Sequence, residues 1–400
     1  MPILFVAETV TLAHLARPLF LAQCLQRAGR EVAIACAERH RALIPAGIDF
    51  YPLDSIAPAS FAQRLARGAP VYRLAELRAY VDADRALLAR LRPTAVIGDF
   101  RLSLSVSARL AGVPYLNIAN AYWRESARTA VPVPDLAFLT WLPLALAQTL
   151  FTLSWPIAQR VHARALNQLR REHGLPALPA QLAAVYTDAD SLLLADLPSL
   201  YPALREHARC RFLGYLPWEP PVALPDWWPQ ISAREPRTLA WITLGSSGDL
   251  RRLRPLVEAA RARALTVLLS TAGRPVEAFS DPEVFVTELL PPTPTAAQVG
   301  LIVSNGGSQM TAIAAAAGRP GIAVPGNLDQ FLNCAAFERR GVLRSVRGDR
   351  INRDRVEQAL DAMLTTNPAR EQALQALQTE IAGIDPATVL IEALDEIGNG

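Results

Sequence analysis

Two polar turns in the last third of the chain carry residue types suited to binding an anion and a polyol. Asn305, Gly306 and Gly307 follow a short apolar strand predicted at 301–303 and precede an alanine-rich helix predicted at 308–317. A helix N-terminus presents backbone N–H groups and a partial positive charge. Because glycine has no Cβ, an anion can approach the backbone closely there. The first turn therefore predicts a diphosphate site.

The second turn follows a strand predicted at 321–324 and leads into a helix that carries Asp329 and Gln330. Carboxylate and amide side chains can hydrogen-bond hydroxyl groups. We expect both helix N-termini to face the same crevice, beyond the carboxyl ends of the strands. The pair predicts a site for a sugar attached to a diphosphate. An ordinary strand–helix–strand unit with a glycine turn is the alternative.

The elements that must position these residues alternate between strand and helix. A strand at 3–7, a helix at 14–28 and a strand at 31–36 open the chain, and a strand at 238–244 begins a second such region. This alternation predicts α/β domains of the Rossmann type. The G-x-G-x-x-G fingerprint does not follow the first strand, which argues against an oxidoreductase that binds a dinucleotide.

Composition excludes several classes of function. The 400 residues have a formal net charge of +3, and no basic run is long enough for a nucleic-acid interface, so we expect no nucleic-acid partner. Four scattered cysteines fit neither a zinc site nor a disulfide framework, and no apolar leader follows the N-terminus. We therefore expect a cytoplasmic protein with reduced thiols.

The segment 301–333 resembles the donor-binding signature of the GT-B, family 1-like glycosyltransferases, which use UDP- or TDP-sugars. The matching residues are Asn305-Gly306-Gly307, Ala316-Ala317-Gly318-Arg319-Pro320, Pro325, Asp329-Gln330 and Asn333. Two positions depart from the family pattern. Asn305 stands where the family has a histidine that contacts the diphosphate, and Met310 stands where a hydroxyl residue is common. Asparagine can donate a hydrogen bond but supplies no positive charge.

The resemblance implies an α/β GT-B fold, with two Rossmann-like domains facing a cleft. Residues 1–215 would form the N-terminal domain, which binds the acceptor, and residues 238–385 the domain that binds the nucleotide sugar. A linker rich in proline and tryptophan would span 216–237, because such a stretch rarely forms regular structure. The last helix, at 386–400, would pack back on the first domain.

The resemblance also implies catalytic and donor-binding roles. His14, where the first loop meets its helix, would remove a proton from the acceptor hydroxyl, and Asp99, after a strand at 94–98, would orient the imidazole. Capping of a helix is the alternative role for both residues. The implied donor-binding residues are Gly245, Ser246, Leu290, Asn305, Gly306, Gly307, Ser308, Gln309, Asn327, Asp329 and Gln330.

The implied reaction is inverting and needs neither a metal nor a cofactor, the nucleotide sugar being a cosubstrate. Asp-x-Asp triplets at 82–84 and 188–190 could bind a metal, but neither lies beside the donor signature, and we attribute both to chance. A nucleotide-sugar epimerase of the same fold and a non-catalytic partner protein are the alternatives. The uncharged stretch at 136–157 argues against the epimerase, because an epimerase needs no acceptor pocket.

Residues 136–157 contain no charged side chain. Their length approaches that of a membrane span, but Pro143 and Pro156 interrupt them. We expect one or two helices here, followed by a separate amphipathic helix at 157–173, that either form an apolar acceptor cavity or touch a membrane surface. The acceptor would then be an apolar small molecule or lipid of bacterial natural-product or glycolipid biosynthesis. The proposed acceptor-binding residues are Tyr122, Trp123, Phe138 and Trp141. The sequence leaves the acceptor, the sugar and the oligomeric state open.

Overall fold

The structure is a computed structural model that describes residues 1–127 and 130–398. The chain divides into two compact units. Unit 1 comprises Met1–Ala130, Leu144–Trp218 and Ile384–Gly400, and unit 2 comprises Val131–Pro143 and Glu219–Gly383. This differs from the predicted division in three places, one of which is that residues 384 and 385 belong to unit 1. The segment 131–143 belongs to unit 2, although it lies well before the predicted linker in the sequence. Residues 216–218 of that linker belong to unit 1, and residues 219–237 belong to unit 2.

Unit 1 contains a parallel β-sheet of seven described strands with the order β3-β2-β1-β4-β5-β6-β7. The strands are β1 (Ile3–Ala7), β2 (Val32–Cys36), β3 (Asp49–Pro52), β4 (Ala95–Asp99), β5 (Tyr115–Ala119), β6 (Ser191–Leu194) and β7 (Cys210–Phe212). The helices are α1 (Ala13–Arg27), α2 (Pro58–Ala66), α3 (Leu74–Leu91), α4 (Leu104–Ala111), α5 (Leu144–Glu172) and α6 (Leu182–Tyr186). The central strands read as continuous apolar runs, as expected for strands covered on both faces.

Unit 2 repeats this arrangement with a parallel sheet of six described strands in the order β10-β9-β8-β11-β12-β13. The strands are β8 (Leu239–Thr243), β9 (Thr266–Ser270), β10 (Val284–Thr287), β11 (Leu301–Ser304), β12 (Gly321–Ala323) and β13 (Leu343–Ser345). The helices are α7 (Trp228–Ser232), α8 (Leu253–Arg261), α9 (Pro292–Gln298), α10 (Ser308–Ala316), α11 (Leu328–Arg339), α12 (Arg353–Leu364) and α13 (Pro368–Ala382).

The chain then returns to unit 1 through α14 (Pro386–Gly398), whose Leu390 and Ala393 are buried in the core formed with α1 and β1. The last two residues of the predicted C-terminal helix, 399 and 400, lie outside the described residues. Burial of these side chains explains why a helix from the end of the sequence belongs to the first unit.

In both sheets the strand order reverses beside the first strand of the unit, between β1 and β4 in unit 1 and between β8 and β11 in unit 2. Ala7 lies opposite Asp99 in the first pair, and Thr243 lies opposite Ser304 in the second. Open α/β sheets bind ligands at the carboxyl ends of the strands where this reversal occurs. The loops after these four strands are therefore the places where each unit is expected to act.

The predicted break of the helix at Pro156 is wrong. Residues 144–172 form one helix, α5, with Pro156 inside it. Proline removes a backbone hydrogen bond, but burial of side chains from both halves, such as Phe151 and Leu166, holds the helix together on either side of it. Among the described residues, none of the helices is long and apolar enough to cross a membrane.

Candidate active site

The site in unit 1 is built on a histidine and an aspartate that come from neighbouring loops. His14 is in the first turn of α1, and Asp99 is the last residue of β4. His14 Nδ1 lies 2.7 Å from Asp99 Oδ1. The Asp99 side chain is fully buried, whereas one fifth of the His14 side-chain surface is exposed. Helix α4 begins at Leu104, so Asp99 is not its N-cap, and the pairing predicted from the resemblance is present in the geometry.

Arg17, one turn along α1, holds the Asp99 carboxylate beside His14. Its Nε donates to Asp99 Oδ2 at 2.7 Å, and one terminal NH2 nitrogen donates to Asp99 Oδ1 at 2.7 Å. Both oxygens of Asp99 therefore accept hydrogen bonds from one guanidinium group. If His14 Nδ1 donates to Asp99 in the 2.7 Å contact, Nε2 is the nitrogen left to accept a proton; a terminal nitrogen of Arg17 also lies 3.1 Å from Nδ1.

The network continues through the ends of the next two strands. Arg17 also donates to Asn120 Oδ1 at 2.8 Å, and Asn120 donates to Asp196 Oδ2 at 3.2 Å. Asp196 accepts a further hydrogen bond from the backbone of Ala121 at 2.6 Å. Sequence reasoning missed Asn120 and Asp196 as part of the site. The sequence pattern that indicates them is the one that indicated Asp99, since each is a polar residue just beyond the carboxyl end of a buried strand.

The two Asp-x-Asp triplets have structural partners. Asp84 accepts hydrogen bonds from Arg101 and Ser103, and both it and Arg101 are buried. Asp188 pairs with Arg109 and Arg170. Within the described ranges, no group of three or more acidic, histidine or cysteine side chains is arranged to hold a metal ion. These carboxylates pair with arginines, of which Arg101 and Arg170 are buried.

In unit 2, Asn305 joins the two loops that follow β8 and β11. Its Nδ2 donates to Ser247 Oγ at 3.1 Å, and its Oδ1 accepts from the backbone N–H of Gly307 at 3.1 Å. The asparagine that replaces the family's histidine thus fixes the loop shape ahead of α10. Helix α10 begins at Ser308, after Gly307 as its N-cap, and the backbone N–H groups of a first helical turn point out of the helix N-terminus.

The two glycines of this turn differ in their physical role, which corrects the sequence interpretation. Gly306 has a φ of 75°, and an added Cβ would overlap Cys334 Sγ. Its carbonyl oxygen accepts a hydrogen bond from the buried Asn333 at 2.9 Å. Gly306 is therefore required by packing and backbone conformation. Gly307 has ordinary backbone geometry, and an added Cβ would meet the side chain of Asn305 at 3.3 Å, so Gly307 is the glycine that fits close approach by an anion.

The second turn is held by a capping box. Asn327 Oδ1 accepts from the Gln330 backbone N–H at 3.0 Å, and Gln330 Oε1 accepts from the backbone N–H of Gly326 at 2.8 Å. The side-chain oxygens of Asn327 and Gln330 thus cap α11, and the predicted contact of Gln330 with sugar hydroxyls stays a prediction for its amide nitrogen. Asp329 lies between them, in the first turn and partly exposed.

The loop after β8 is braced by Arg274. This guanidinium donates to the backbone carbonyls of Gly245 at 2.6 Å and Gly248 at 2.7 Å. Burial lowers the pKa of Arg274. Ser246 is exposed at the tip of the loop, whereas the side chain of Leu290 is buried, so that only the backbone of Leu290 remains suited to the predicted contact with a base.

The segment 131–143 packs beside the second turn of unit 2. The backbone N–H of Asp135 donates to the carbonyl of Gly326 at 2.9 Å, and its carboxylate pairs with Arg252 and Arg347, each at 3.1 Å. Burial, reinforced by the neighbouring Asp349, raises the pKa of Asp135 to about 7. These contacts explain why the segment belongs to unit 2. They were missed because nothing in the local sequence shows which distant arginines compensate the charge.

The four predicted acceptor residues are divided between the two units. Tyr122 is buried in unit 1, and Trp123 is partly buried there with its ring against Tyr186. Phe138 and Trp141 are exposed on the segment 131–143 of unit 2. Burial excludes direct contact between an acceptor and the Tyr122 ring in this conformation.

Comparison with known proteins shows which family the chain belongs to, although no protein-family model matches it. A PGL/p-HBAD biosynthesis glycosyltransferase of Mycobacterium tuberculosis (strain ATCC 25177 / H37Ra) is 38% identical over 372 residues, covering 93% of this chain and 86% of that protein. A PGL/p-HBAD biosynthesis rhamnosyltransferase of Mycobacterium bovis (strain BCG / Pasteur 1173P2) is also 38% identical over 372 residues, covering 93% of this chain and 82% of that protein. The chain belongs to this family of glycosyltransferases.

A third relative of this glycosyltransferase, also from Mycobacterium bovis (strain BCG / Pasteur 1173P2), is named an inactive PGL/p-HBAD biosynthesis glycosyltransferase and is 40% identical over 258 residues, covering 64% of this chain and 70% of that protein. Among solved structures, the spinosyn rhamnosyltransferase SpnG complexed with thymidine diphosphate has a TM-score of 0.70 at 18% identity, covering 98% of this chain and 99% of that chain. The predicted GT-B fold and the predicted enzyme class are confirmed.

Proposed function

We propose that this glycosyltransferase moves a sugar from a nucleoside diphosphate to a hydroxyl group of an apolar small molecule or lipid, with inversion at the anomeric carbon and without a metal ion. The observation that carries the proposal is the contact of 2.7 Å between His14 and Asp99 at the point in unit 1 where the strand order reverses. In the proposed role, Asp99 would hold the proton on Nδ1 of His14 and leave Nε2 as the base, at the edge of the sheet where α/β units bind ligands.

Unit 2 would hold the donor. The diphosphate would lie at the N-terminus of α10, beside Gly307, where the dipole of the helix and the N–H groups of its first turn favour negative charge. Asp329 would accept hydrogen bonds from hydroxyls of the sugar. The names of two proteins similar to this chain support a rhamnosyl donor and a thymidine nucleotide, namely the rhamnosyltransferase of Mycobacterium bovis and SpnG with thymidine diphosphate.

In the reaction, His14 Nε2 would accept the proton of the acceptor hydroxyl while that oxygen forms a bond to the anomeric carbon. The bond from this carbon to the diphosphate oxygen breaks on the opposite face. Asp99 would stabilise the positive charge that develops on the imidazole. The N-terminus of α10 would stabilise the charge that accumulates on the leaving diphosphate.

The test is a transfer assay with the full chain. TDP-rhamnose, TDP-glucose and the corresponding UDP-sugars are each incubated with decanol or 4-decylphenol, and the products are separated by chromatography, identified by mass spectrometry and assigned their sugar configuration by nuclear magnetic resonance. We expect a glycoside of inverted anomeric configuration, formed equally well in the presence of EDTA. Isomerised donor without a glycoside would favour an epimerase. Neither product, together with no thermal shift by TDP or UDP, would favour a non-catalytic protein.

Asp329→Ala tests the proposed contact with the sugar. We expect kcat/KM for the donor to fall about 10- to 100-fold, because a charged hydrogen-bond acceptor is lost, while the Kd of free TDP, measured by calorimetry, changes less than about twofold. Asp354→Ala is the matched control, because Asp354 occupies the same place in the first turn of α12, after an asparagine N-cap. Equal losses of donor use and TDP binding in Asp329→Ala would contradict the assignment.

We also propose that α5 binds the surface of an anionic membrane, where a lipid acceptor would be available. One face of this helix exposes five apolar side chains at spacings of three or four residues, and they are Leu146, Leu150, Leu153, Ile157 and Val161. Residues 136–171 contain no acidic side chain, whereas Arg160 and Arg164 are exposed near the end of this face. An apolar face flanked by arginines is the pattern of a helix that lies in a membrane interface.

The double variant Leu153→Asp/Ile157→Asp tests this surface. We expect the wild-type chain to sediment with vesicles that contain phosphatidylglycerol, and the variant to bind them at least about tenfold more weakly, because each aspartate removes an exposed apolar side chain and adds repulsion. The control is Leu224→Asp/Val286→Asp, which alters two other exposed apolar residues. Wild-type protein that stays in the supernatant, or equal binding by both variants, would contradict the membrane proposal.

A further inference from the structure

Phe100, the residue after Asp99, has a backbone conformation that aromatic residues rarely adopt. Its φ is 58°, in the left-handed region. Such a conformation is unfavourable for a side chain with a Cβ and persists only where the surroundings impose it. Here the residues on both sides are fixed. Asp99 is bound to Arg17, and the buried Arg101 donates to Glu8 Oε2 at 3.0 Å and to Asp84 Oδ1 at 2.9 Å.

The strained backbone places the Phe100 ring against His14. The two rings are stacked, with centroids 4.9 Å apart and planes inclined by 12°. Other aromatic rings also lie close to the Phe100 ring. Their centroids lie at 6.0 Å for Phe61, 6.2 Å for Tyr72 and 5.3 Å for Tyr186. The imidazole therefore has a flat support on one face and a hydrogen bond from Nδ1 to Asp99 at its edge.

We propose that Phe100 is a positioning residue for the proton transfer. Its ring prevents rotation of the His14 imidazole, so that Nδ1 stays on Asp99 and Nε2 stays directed to the acceptor hydroxyl. Small displacements of a catalytic group lower the rate strongly. The inference rests on the proposed role of His14 as the base. The left-handed backbone of Phe100 is unfavourable, and it accompanies the placement of an aromatic ring beside His14. Neither the family resemblance nor the hydrogen-bond network requires an aromatic ring at this position.

Phe100→Ala and Phe100→Gly form a matched pair, because both remove the ring and only glycine relieves the backbone. We expect the glycine variant to melt about 2 °C or more above the alanine variant. We expect both to lose about tenfold in kcat with an unchanged KM for the donor, and Phe100→Tyr to retain most of the activity. Equal melting temperatures would contradict the strain, and a rise in acceptor KM at constant kcat would show that the ring is instead a wall of the acceptor site.

A spectroscopic measurement separates this inference from the proposed function. In the nuclear magnetic resonance spectrum, the carbon-bound ring protons of His14, assigned with His14→Gln, should be shifted upfield by the stacked Phe100 ring, and this shift should vanish in Phe100→Ala. If His14→Ala is inactive but the shift is already absent in the wild type, the positioning role is overturned and the base assignment stands. If the shift is present but His14→Ala is fully active, the proposed function fails.

Discussion

His14→Ala is expected to lower kcat for sugar transfer by about 10² to 10⁴, the range usual for loss of a general base. Binding of the nucleotide should be unchanged, since the proposed donor site is built from unit 2. The fold should tolerate the change. His14 is partly exposed, and Asp99 keeps its bidentate partner Arg17, so that no unpaired buried charge results. Steady-state kinetics and calorimetry with TDP measure the two effects.

The matched control for this prediction is His162→Ala. His162 is on α5 and contacts the backbone of Gly68, remote in sequence from the histidine–aspartate pair. The His162→Ala variant should keep kcat within about twofold of the wild type, because substitutions outside the core and the buried hydrogen-bond networks usually have small effects. Activity of His14→Ala at the wild-type level would remove the base assignment, and loss of TDP binding in this variant would show a wider structural effect.

Gly306→Ala should destabilise unit 2 by roughly 2–4 kcal/mol, combining the cost of a left-handed alanine with that of overpacking. The φ of Gly306 is 75°, and the added methyl group would overlap the buried Cys334 and approach Ala323. Because Asn333 binds the Gly306 carbonyl, the turn before α10 should shift and TDP binding should be lost. Thermal denaturation and calorimetry with TDP provide the measurement.

Gly307→Ala is the companion variant, one residue along the same turn. Its backbone conformation suits alanine, so its melting temperature should lie close to that of the wild type. The methyl group would stand where the diphosphate is proposed to approach. We expect TDP to bind about tenfold more weakly, which corresponds to a loss of about 1.4 kcal/mol in binding free energy. Wild-type stability in Gly306→Ala would contradict the packing argument, and wild-type affinity in Gly307→Ala would contradict the position of the diphosphate.

The sequence predicts the strands and the main turns well because they depend on local patterns. The apolar runs that form β1, β4 and β11 are followed by the polar residues that end each strand. The membership of the segment 131–143 in unit 2 was not predicted, because it depends on ion pairs between residues far apart in the sequence. The segment 131–143 joins unit 2 because Asp135 pairs with Arg252 and Arg347, more than 100 positions away in the chain.

For the site, the sequence predicts which residues are important better than it predicts what they do. Gly306 is needed because of Cys334, and Gln330 caps α11 through Gly326. Each role depends on a neighbour that is brought close only by the fold. Phe100 shows the same limit, since a positive φ at an aromatic residue has no signal in the sequence.

The most direct test of the account is the position of the nucleotide in crystals of the full chain grown with thymidine or uridine diphosphate. We expect the phosphate oxygens within about 3.2 Å of backbone N–H groups in the first turn of α10, at residues 308–310, with Gly307 in contact. A diphosphate bound elsewhere, or first-turn N–H groups of α10 covered by side chains in the complex, would contradict the proposed donor site.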